Sequence, residues 1–254
     1  MIFAIIKIPL FLFALFSYMG VSLIVNLLIR NKSRKLSFFS NFTSFACKLA
    51  IKILAIRVKV NNFDPESPYT NQLIVSNHLS YLDIMVLSSI MPSLYITSVE
   101  VQKTFFLGFM AKMGGSLFVE RRSKTKLLEE IERITSILKM GFSVTLFPEG
   151  TSSNGDKVLP FKGSLFSTAE KAGTPILPVC IKYQSINGKP ITIANRDLIY
   201  YYGDLLFFPH LVKLFFVRDV QVNVTFLNKI SVNGKERKEI VDSCYDCITT
   251  AYNT

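Results

Sequence analysis

The chain has 254 residues, of which 50% are hydrophobic, and it carries a formal net charge of +11. The charge is uneven: residues 1–60 contain nine Lys or Arg and no Asp or Glu, while the rest of the chain is nearly balanced. A nucleic-acid-binding protein is expected to carry its positive patch on a folded domain together with groove-reading or aromatic motifs, and none is visible. The charge distribution therefore argues against a nucleic-acid partner and favours an anionic membrane surface.

The N-terminal segment is predicted to contact a membrane. Residues 8–29 contain no charged side chain, and at about 1.5 Å per residue this length is sufficient to cross a hydrocarbon layer of about 30 Å. Pro9 and Gly20 leave open whether the segment spans the bilayer, dips in as a hairpin or lies along the interface. A cleaved signal peptide is the alternative, but the stretch exceeds the usual length of about 7–15 residues and lacks an A-x-A-like site.

The residues that follow this segment predict which side of the membrane the chain occupies. Four basic residues lie within residues 30–35. By the positive-inside rule, they keep the subsequent chain in the cytoplasm. We therefore predict an inner-membrane protein whose folded domain lies on the cytoplasmic face.

A second helix is predicted from Asn41 to Ile53. Lys48 and Lys52 lie away from its apolar stripe, which fits an interfacial helix on phospholipid headgroups or a helix packed on the domain. The stripe consists of Phe42, Phe45, Ala46, Leu49 and Ile53. Residues 56–60 then alternate as a half-buried strand. We accordingly divide the chain into an anchor over residues 1–54 and one folded domain over residues 55–254.

Strand and helix patterns alternate from residue 72 onward. The predicted strands lie at 72–77, 94–97, 117–120 and 142–147, and the predicted helices at 81–90, 105–113 and 124–140. This alternation predicts an α/β domain with a mainly parallel mixed sheet flanked by helices. The length is sufficient for a single core, and no internal repeat is visible.

His78 and Asp83 are the first candidates for chemistry, since the chain contains only two histidines. Ser80 and Asp83 have the S-x-x-D form of a capping box that opens the helix at 81–90. An Asp in the first turn directs its carboxylate toward the helix start, where it can hold one imidazole nitrogen and leave the other free to take a proton. On these residues alone a purely structural role, with Asp83 as a cap and His78 bonded to a carbonyl, stays open.

No metal or cofactor is expected. The cysteines are isolated or, for Cys244 and Cys247, lack the second ligand pair that a zinc site requires. The sequence has neither a Walker loop nor a dinucleotide fingerprint, so no nucleotide cofactor is predicted.

Four sequence blocks resemble those of the glycerolipid acyltransferase family, which includes the 1-acylglycerol-3-phosphate O-acyltransferases. The blocks are NHLSYLD at residues 77–83, GSLFVER at 115–121, FPEGT at 147–151 and ILPVCI at 176–181. They occur in the family's order and at plausible separations. The resemblance implies a membrane-bound enzyme that moves a fatty acyl chain from acyl carrier protein or coenzyme A to a lysolipid hydroxyl. Lysophosphatidic acid is the leading acceptor.

The resemblance also implies the roles of individual residues. His78 takes the proton of the acceptor hydroxyl as its oxygen attacks the thioester, and Asp83 fixes the ring tautomer. Glu149 is expected to accept a hydrogen bond from an acceptor hydroxyl, or to orient Arg121 or a loop amide. The predicted substrate-binding residues are Arg121, Glu149, Gly150, Thr151 and Lys162. Because no G-x-S-x-G elbow is present, direct transfer is favoured over an acyl-enzyme.

One position departs from the family pattern. The pattern commonly continues with an arginine after the threonine, whereas Ser152 stands here. One phosphate-holding side chain is then missing, and Lys162 is an alternative source of positive charge. Residues 200–210 also look like a stretch in bacterial relatives that acylate lyso-ornithine lipids, and His210 within it is expected to be a bonded, structural histidine.

Lyso-ornithine lipid or another lysolipid is therefore the second candidate for the acceptor. A catalytically silent lipid-binding scaffold is the distant alternative. Intact His78, Asp83, Arg121 and Glu149 argue against it.

Overall fold

The computed structural model describes residues 2–64 and 70–254 and begins with two long helices, α1 (Ile2–Leu28) and α2 (Lys32–Leu54). α1 continues through both Pro9 and Gly20, so neither residue breaks it. Within the described chain, α1 is long and apolar enough to cross a membrane, and most of its side chains are exposed. This helix indicates that the protein associates with a membrane.

α2 begins earlier than the sequence predicts because Asn31 caps it. The Oδ1 of Asn31 accepts a hydrogen bond from the N–H of Arg34 at 3.0 Å, which satisfies one of the free donors of the first turn. Two residues of the predicted apolar stripe, Phe45 and Leu49, are exposed. The helix instead buries Phe39, Ile51 and Leu54. One face of α2 is thus packed on the domain while another is free for an interfacial role.

Within the described residues, one sheet has the strand order β1-β8-β6-β2-β5-β3-β4, and a short strand β7 pairs with β6. The strands are β1 (Ile56–Asn61), β2 (Leu73–Ser76), β3 (Leu94–Ser98), β4 (Leu117–Val119), β5 (Val144–Leu146), β6 (Ile176–Ile186), β7 (Lys189–Pro190) and β8 (Val220–Phe226). The pairings are parallel except those of β6 with β7 and with β8. The predicted mainly parallel mixed sheet is confirmed.

Helices flank this sheet, as predicted. After α2 they are α3 (Leu82–Ile90), α4 (Val99–Gln102), α5 (Phe105–Met113), α6 (Lys124–Lys139), α7 (Ser167–Ala172), α8 (Phe207–Phe216) and α9 (Arg237–Asn253). α3 leads outward in the sheet from β2 to β3, whereas α6 leads back from β4 to β5. Because such crossovers are right-handed, the two helices lie on opposite faces of the sheet. β2 and β5 are fully buried between the two layers, which explains their continuous apolar runs.

The chain direction reverses between the neighbouring strands β2 and β5. From β2 the chain continues to β3 on one side, and from β5 it continues to β6 on the other. In an open α/β sheet such a reversal opens a crevice at the carboxyl ends of the strands, where ligands bind. His78 follows β2 and residues 147–151 follow β5, so both blocks lie at this crevice.

Lys7 joins α1 to the rest of the fold. Its Nζ donates hydrogen bonds to the carbonyl oxygens of Leu54, at 3.0 Å, and of Val217, at 2.6 Å. These carbonyls lie at the carboxyl ends of α2 and α8, where the helix dipole favours a positive charge. The ring of Phe11 adds an edge contact to that of Phe215, with centroids 5.3 Å apart.

Candidate active site

His78 and Asp83 form a hydrogen-bonded pair just beyond the carboxyl end of β2. Nδ1 of His78 lies 2.9 Å from Oδ2 of Asp83. Asp83 is fully buried, while the His78 side chain keeps 18% of its surface exposed. Nε2 forms no hydrogen bond within the part of the chain that the structure describes. Because the carboxylate can only accept, the proton of a neutral ring lies on Nδ1, and Nε2 is left to accept a proton from a ligand.

Asp83 is held by four donors. Its Oδ2 accepts the N–H groups of Leu79, at 2.6 Å, and of Ser80, at 2.9 Å, in addition to His78. Its Oδ1 accepts the hydroxyl of Tyr183 at 2.9 Å, and burial raises the pKa of Tyr183, so the phenol remains a donor. A fully buried carboxylate requires such partners, and their number fixes its orientation toward His78.

Only half of the predicted capping box forms. The N–H of Ser80 donates to Asp83, but the buried Ser80 hydroxyl has no hydrogen-bond partner among the described residues. α3 consequently begins at Leu82, one residue later than predicted. Asp83 thus holds the helix start and the imidazole at the same time, which joins the two roles that the sequence left as alternatives.

The backbone and ring of His78 are fixed from neighbouring strands. The side-chain amide of Asn77 donates to the carbonyl of Ile181 at 2.9 Å and accepts the N–H of Ile181 at 2.8 Å, which extends the pairing of β2 with β6. The ring of His78 stacks on that of Phe147, with centroids 4.1 Å apart and an interplanar angle of 16°. The imidazole therefore has one defined plane.

Glu149 links the loop after β5 to the loop after β2. Its Oε1 accepts the N–H of His78 at 2.7 Å, and its Oε2 accepts the N–H of Leu159 at 3.0 Å. The sequence left open whether Glu149 bonds an acceptor hydroxyl, Arg121 or a loop amide, and the structure shows bonds to two loop amides. Burial raises the pKa of Glu149 to about 7, although the two backbone donors oppose this shift.

Arg121 and Lys162 converge on Gly150, which adopts a positive φ of 77°. A Cβ at Gly150 would lie 2.7 Å from Nη1 of Arg121 and 2.7 Å from Nζ of Lys162, so a side chain here would displace both cations. Neither side chain forms an ion pair within the described ranges, and Nε of Arg121 is buried without a partner. Two adjacent cations that form no ion pair with the described residues are typical of an anion-binding site.

Thr151 is exposed beside this pair, and its hydroxyl donates to the carbonyl of Ser152 at 3.4 Å. The hydroxyl of Ser152 instead donates to the carbonyl of Tyr201. The N–H of Tyr201 donates to the carbonyl of Leu79 at 3.0 Å. Where the family pattern commonly has an arginine, this chain therefore has a short side chain that attaches Tyr201 to the loop after β5, while the backbone N–H of Tyr201 attaches it to the loop after β2.

His210 lies outside the His78 pair and has both ring nitrogens bonded. Nε2 is 3.0 Å from the carbonyl oxygen of Tyr200, and Nδ1 is 3.0 Å from the hydroxyl of Tyr81. Burial lowers the pKa of His210, so the ring is neutral, donating to Tyr200 and accepting from Tyr81. This arrangement agrees with the structural role expected for it.

The chain is similar to known proteins over the region that contains the four sequence blocks. The Acyltransferase family profile matches residues 57–182. Over 202 residues the chain is 32% identical to the lyso-ornithine lipid O-acyltransferase of Rhizobium meliloti, covering 76% of this chain and 68% of that protein. The chain belongs to the glycerolipid acyltransferase family. Within the family it is also 36% identical to the 1-acyl-sn-glycerol-3-phosphate acyltransferase of Neisseria gonorrhoeae, over 56% of this chain and 55% of that protein.

The fold of this glycerolipid acyltransferase is similar to a solved one. The crystal structure of the 1-acyl-sn-glycerophosphate acyltransferase from Thermotoga maritima superimposes with a TM-score of 0.69, covering 98% of this chain and 94% of that chain. The sequence identity is 20%, so this likeness shows the fold alone. The family match and these relatives show that the protein is a lysolipid acyltransferase of lipid biosynthesis, as the blocks indicated.

Sequence reasoning missed three neighbours of the pair in this acyltransferase. Tyr183 reaches Asp83, Phe147 stacks on His78, and Tyr201 is bonded to both site loops. A signal existed for the first: Tyr183 follows Ile181 by two positions on β6, so it lies on the same face of the sheet as the end of the fourth block. Tyr201 lies in the stretch at residues 200–210 that resembles bacterial relatives, but nothing in the local pattern predicts its bonds to the two loops.

Glu149→Gln should flatten the pH dependence of stability. The folded chain holds the Glu149 proton up to about pH 7, whereas an unfolded chain loses it near its usual pKa of about 4.3. The free energy of unfolding therefore falls as the pH rises through this window, by at most about 1.4 kcal/mol per pH unit. Denaturant unfolding between about pH 5 and about pH 8 measures this slope.

The matched control for this prediction is Glu132→Gln, which changes an exposed carboxylate on α6. In this variant the free energy of unfolding should depend on pH as it does in the wild type. An equal slope in wild type and Glu149→Gln would contradict the assignment of the titrating proton to Glu149.

Proposed function

We propose that this chain transfers a fatty acyl group from a thioester of acyl carrier protein or coenzyme A to the hydroxyl of a lysolipid whose headgroup carries a carboxylate or a phosphate, with lyso-ornithine lipid as the acceptor. The observation that carries the chemistry is the contact between His78 and Asp83 at 2.9 Å, with Nε2 turned away from the carboxylate. The observation that carries the acceptor class is the pair of cations, Arg121 and Lys162, at Gly150.

In this proposal His78 is the general base. Nε2 accepts the proton of the lysolipid hydroxyl as its oxygen attacks the thioester carbonyl, and Asp83 stabilises the imidazolium that forms. Collapse of the tetrahedral intermediate breaks the C–S bond, and the departing thiolate takes the proton from Nε2. The product is an ester and a free thiol, and no covalent enzyme intermediate is needed.

Arg121 and Lys162 hold the acceptor headgroup. A guanidinium binds a carboxylate or phosphate through two parallel hydrogen bonds, while an ammonium contributes a point charge. Glu149 connects Gly150, its neighbour, to the backbone of His78. Thr151 is exposed on the same turn. A headgroup bound at Gly150 is thereby positioned relative to Nε2, and such positioning supplies much of the rate in a transfer between bound reactants.

Two observations favour lyso-ornithine lipid. The match to the Rhizobium meliloti protein extends over 202 residues, whereas that to the Neisseria gonorrhoeae protein ends after 143. In addition, Ser152 binds the Tyr201 carbonyl rather than supplying a further cation. The ornithine headgroup carries one carboxylate, which Arg121 alone can bind, and one ammonium, so it needs fewer protein cations than a phosphate does.

Lysophosphatidic acid is the second candidate, and the cation pair itself favours it. A phosphate monoester carries nearly two negative charges at neutral pH. Arg121 and Lys162 together match that charge, so Lys162 can take the place of the arginine that the family pattern commonly has after Thr151.

The location of the reaction is part of the same proposal. In this proposal the domain lies on the cytoplasmic face of the inner membrane, where both acyl carrier protein and coenzyme A thioesters occur, and the four basic residues at 30–35 support this side. In this arrangement residues 1–54 serve as the anchor and residues 55–254 as the catalytic domain, and an anionic membrane surface faces the basic N-terminal part.

An acceptor panel tests the proposal. The purified full chain is incubated with labelled acyl carrier protein or coenzyme A thioester and with lyso-ornithine lipid, lysophosphatidic acid or uncharged monoacylglycerol. We expect lyso-ornithine lipid to give the highest kcat/KM and monoacylglycerol the lowest. Arg121→Gln should raise KM for lyso-ornithine lipid by about tenfold or more, because a charge-assisted hydrogen bond contributes about 1.5–3 kcal/mol.

Lys162→Gln separates the two acceptors. If the acceptor is a carboxylate held by Arg121, this variant changes KM less than Arg121→Gln does. If both variants raise KM for lysophosphatidic acid equally and that acceptor gives the higher kcat/KM, the second candidate replaces the first. Highest activity with monoacylglycerol would contradict the headgroup role of both cations.

A further inference from the structure

Two short helices outside the N-terminal anchor expose phenylalanines in rows. α8 presents Phe208, Val212 and Phe216 at i, i+4 and i+8, and this spacing places side chains in one line along a helix. α5 presents Phe105 and Phe109 in the same way, and Phe105 is 97% exposed. We call these five residues the α5–α8 face.

The two rows belong to one surface. The ring of Phe106 in α5 contacts the rings of Phe207 and Phe208 in α8, with centroids 5.6 Å and 5.4 Å apart. α1 packs against both α5 and α8. The α5–α8 face therefore lies beside the membrane helix.

The charges on these helices are of one sign. α5 contains Lys112 and α8 contains Lys213, and neither helix contains an acidic residue. Apolar side chains on one side with lysines at the margin are typical of helices that lie in the headgroup region of an anionic bilayer, with their apolar face about 5–10 Å deep. We propose that the α5–α8 face inserts into the same leaflet as α1 and forms a second membrane contact of the domain.

This second contact leads to the candidate active site. The ring of Phe207 contacts that of Tyr81, with centroids 5.0 Å apart, and Tyr81 also bonds His210. Tyr81 lies between the two members of the catalytic pair in the sequence. A lysolipid whose chain remains among the bilayer tails beside α8 can thus present its hydroxyl near His78 without leaving the membrane.

Tryptophan fluorescence tests the proposal directly, because the chain contains no tryptophan. Phe105→Trp and Phe208→Trp each introduce one reporter into the full chain, and Leu128→Trp is the matched control at an exposed apolar position on α6. All three proteins are reconstituted into phosphatidylglycerol-containing vesicles with or without lipids brominated on the acyl chain.

We expect brominated lipid to quench the reporters at 105 and 208 at least about twofold more than the reporter at 128, as burial in the acyl region requires. Aqueous iodide should show the reverse order. Iodide quenching at 208 as strong as that at 128 would overturn the proposal. Shielding from iodide without quenching by brominated lipid, together with the mass of a dimer in detergent, would assign the face to a second copy and would also overturn it.

A functional measurement separates this inference from the proposed reaction. The double variant Phe105→Glu with Phe208→Glu should lower acyl transfer to lysolipid in vesicles by about tenfold, because charged side chains oppose insertion. With a short-chain lysolipid below its critical micelle concentration, the variant should match the wild type. Equal loss on both substrates would contradict the membrane role while leaving the role of His78 unaffected.

Discussion

His78→Ala is expected to lower acyl transfer by at least about 10²-fold, the lower end of what a positioned acid or base contributes. The variant removes Nε2, the ring nitrogen left free by the bond between Nδ1 and Asp83. The contacts of α1 with the domain do not involve His78, so association with vesicles should be unchanged. Turnover of labelled thioester and lysolipid measures the loss, and co-sedimentation with vesicles measures the association.

The other histidine provides the matched control. His210→Asn removes a buried ring whose nitrogens bond Tyr81 and Tyr200. It should lower the free energy of unfolding, whereas kcat per folded molecule should stay within about tenfold of wild type, since no proton transfer is assigned to it. Near-normal turnover of His78→Ala would refute the assignment of His78 as the general base. A larger loss of kcat in His210→Asn than in His78→Ala would assign that role to His210 instead.

Asp83→Asn is expected to lower kcat by about 10²-fold or more while the chain stays folded. The new amide can keep its oxygen toward His78, Leu79 and Ser80 and turn its NH₂ toward Tyr183, whose hydroxyl can also accept. The ring tautomer is then preserved, but the negative charge that stabilises the imidazolium is lost. Steady-state kinetics at saturating acceptor and denaturant unfolding separate the two effects.

Tyr183→Phe is expected to affect stability more than kcat, the opposite of Asp83→Asn. It removes one donor from the buried carboxylate, at a cost of about 1.5–3 kcal/mol in the free energy of unfolding, but leaves the charge in place. We expect its kcat to fall by less than about tenfold, because proton transfer does not pass through the phenol. If Asp83→Asn retains wild-type kcat, charge stabilisation of the imidazolium is excluded, whatever happens in Tyr183→Phe.

The parts of the site that the sequence predicts are those fixed by local structure. His78 and Asp83 lie five positions apart across one helix start, so the short segment between them determines their contact. The block at residues 147–151 follows a buried strand, and parallel strands bring their carboxyl ends to one edge. Arg121 follows the parallel strand β4, so the same rule brings it to the edge of the sheet where Gly150 lies.

The parts that the sequence does not predict depend on contacts between distant segments. Tyr183 and Asp83 are one hundred positions apart, and Tyr201 and Ser152 nearly fifty. No periodicity encodes such pairs, since they arise only when β6 and the segment before α8 pack beside the β2 loop. The sequence does not predict the early start of α2 for another reason: Lys32, Arg34 and Lys35 in its first turn also fit the positive flank of a membrane segment.

The hydrogen bonds of Lys7 have a consequence for how the enzyme meets its substrate. One ammonium joins the first helix to the carboxyl ends of α2 and α8, so the tilt of that helix in the bilayer also sets the tilt of the catalytic crevice. Exchanging α1 for another apolar helix of equal length, without a lysine at this register, would keep the protein at the bilayer but weaken the coupling between the orientation of the helix and that of the crevice.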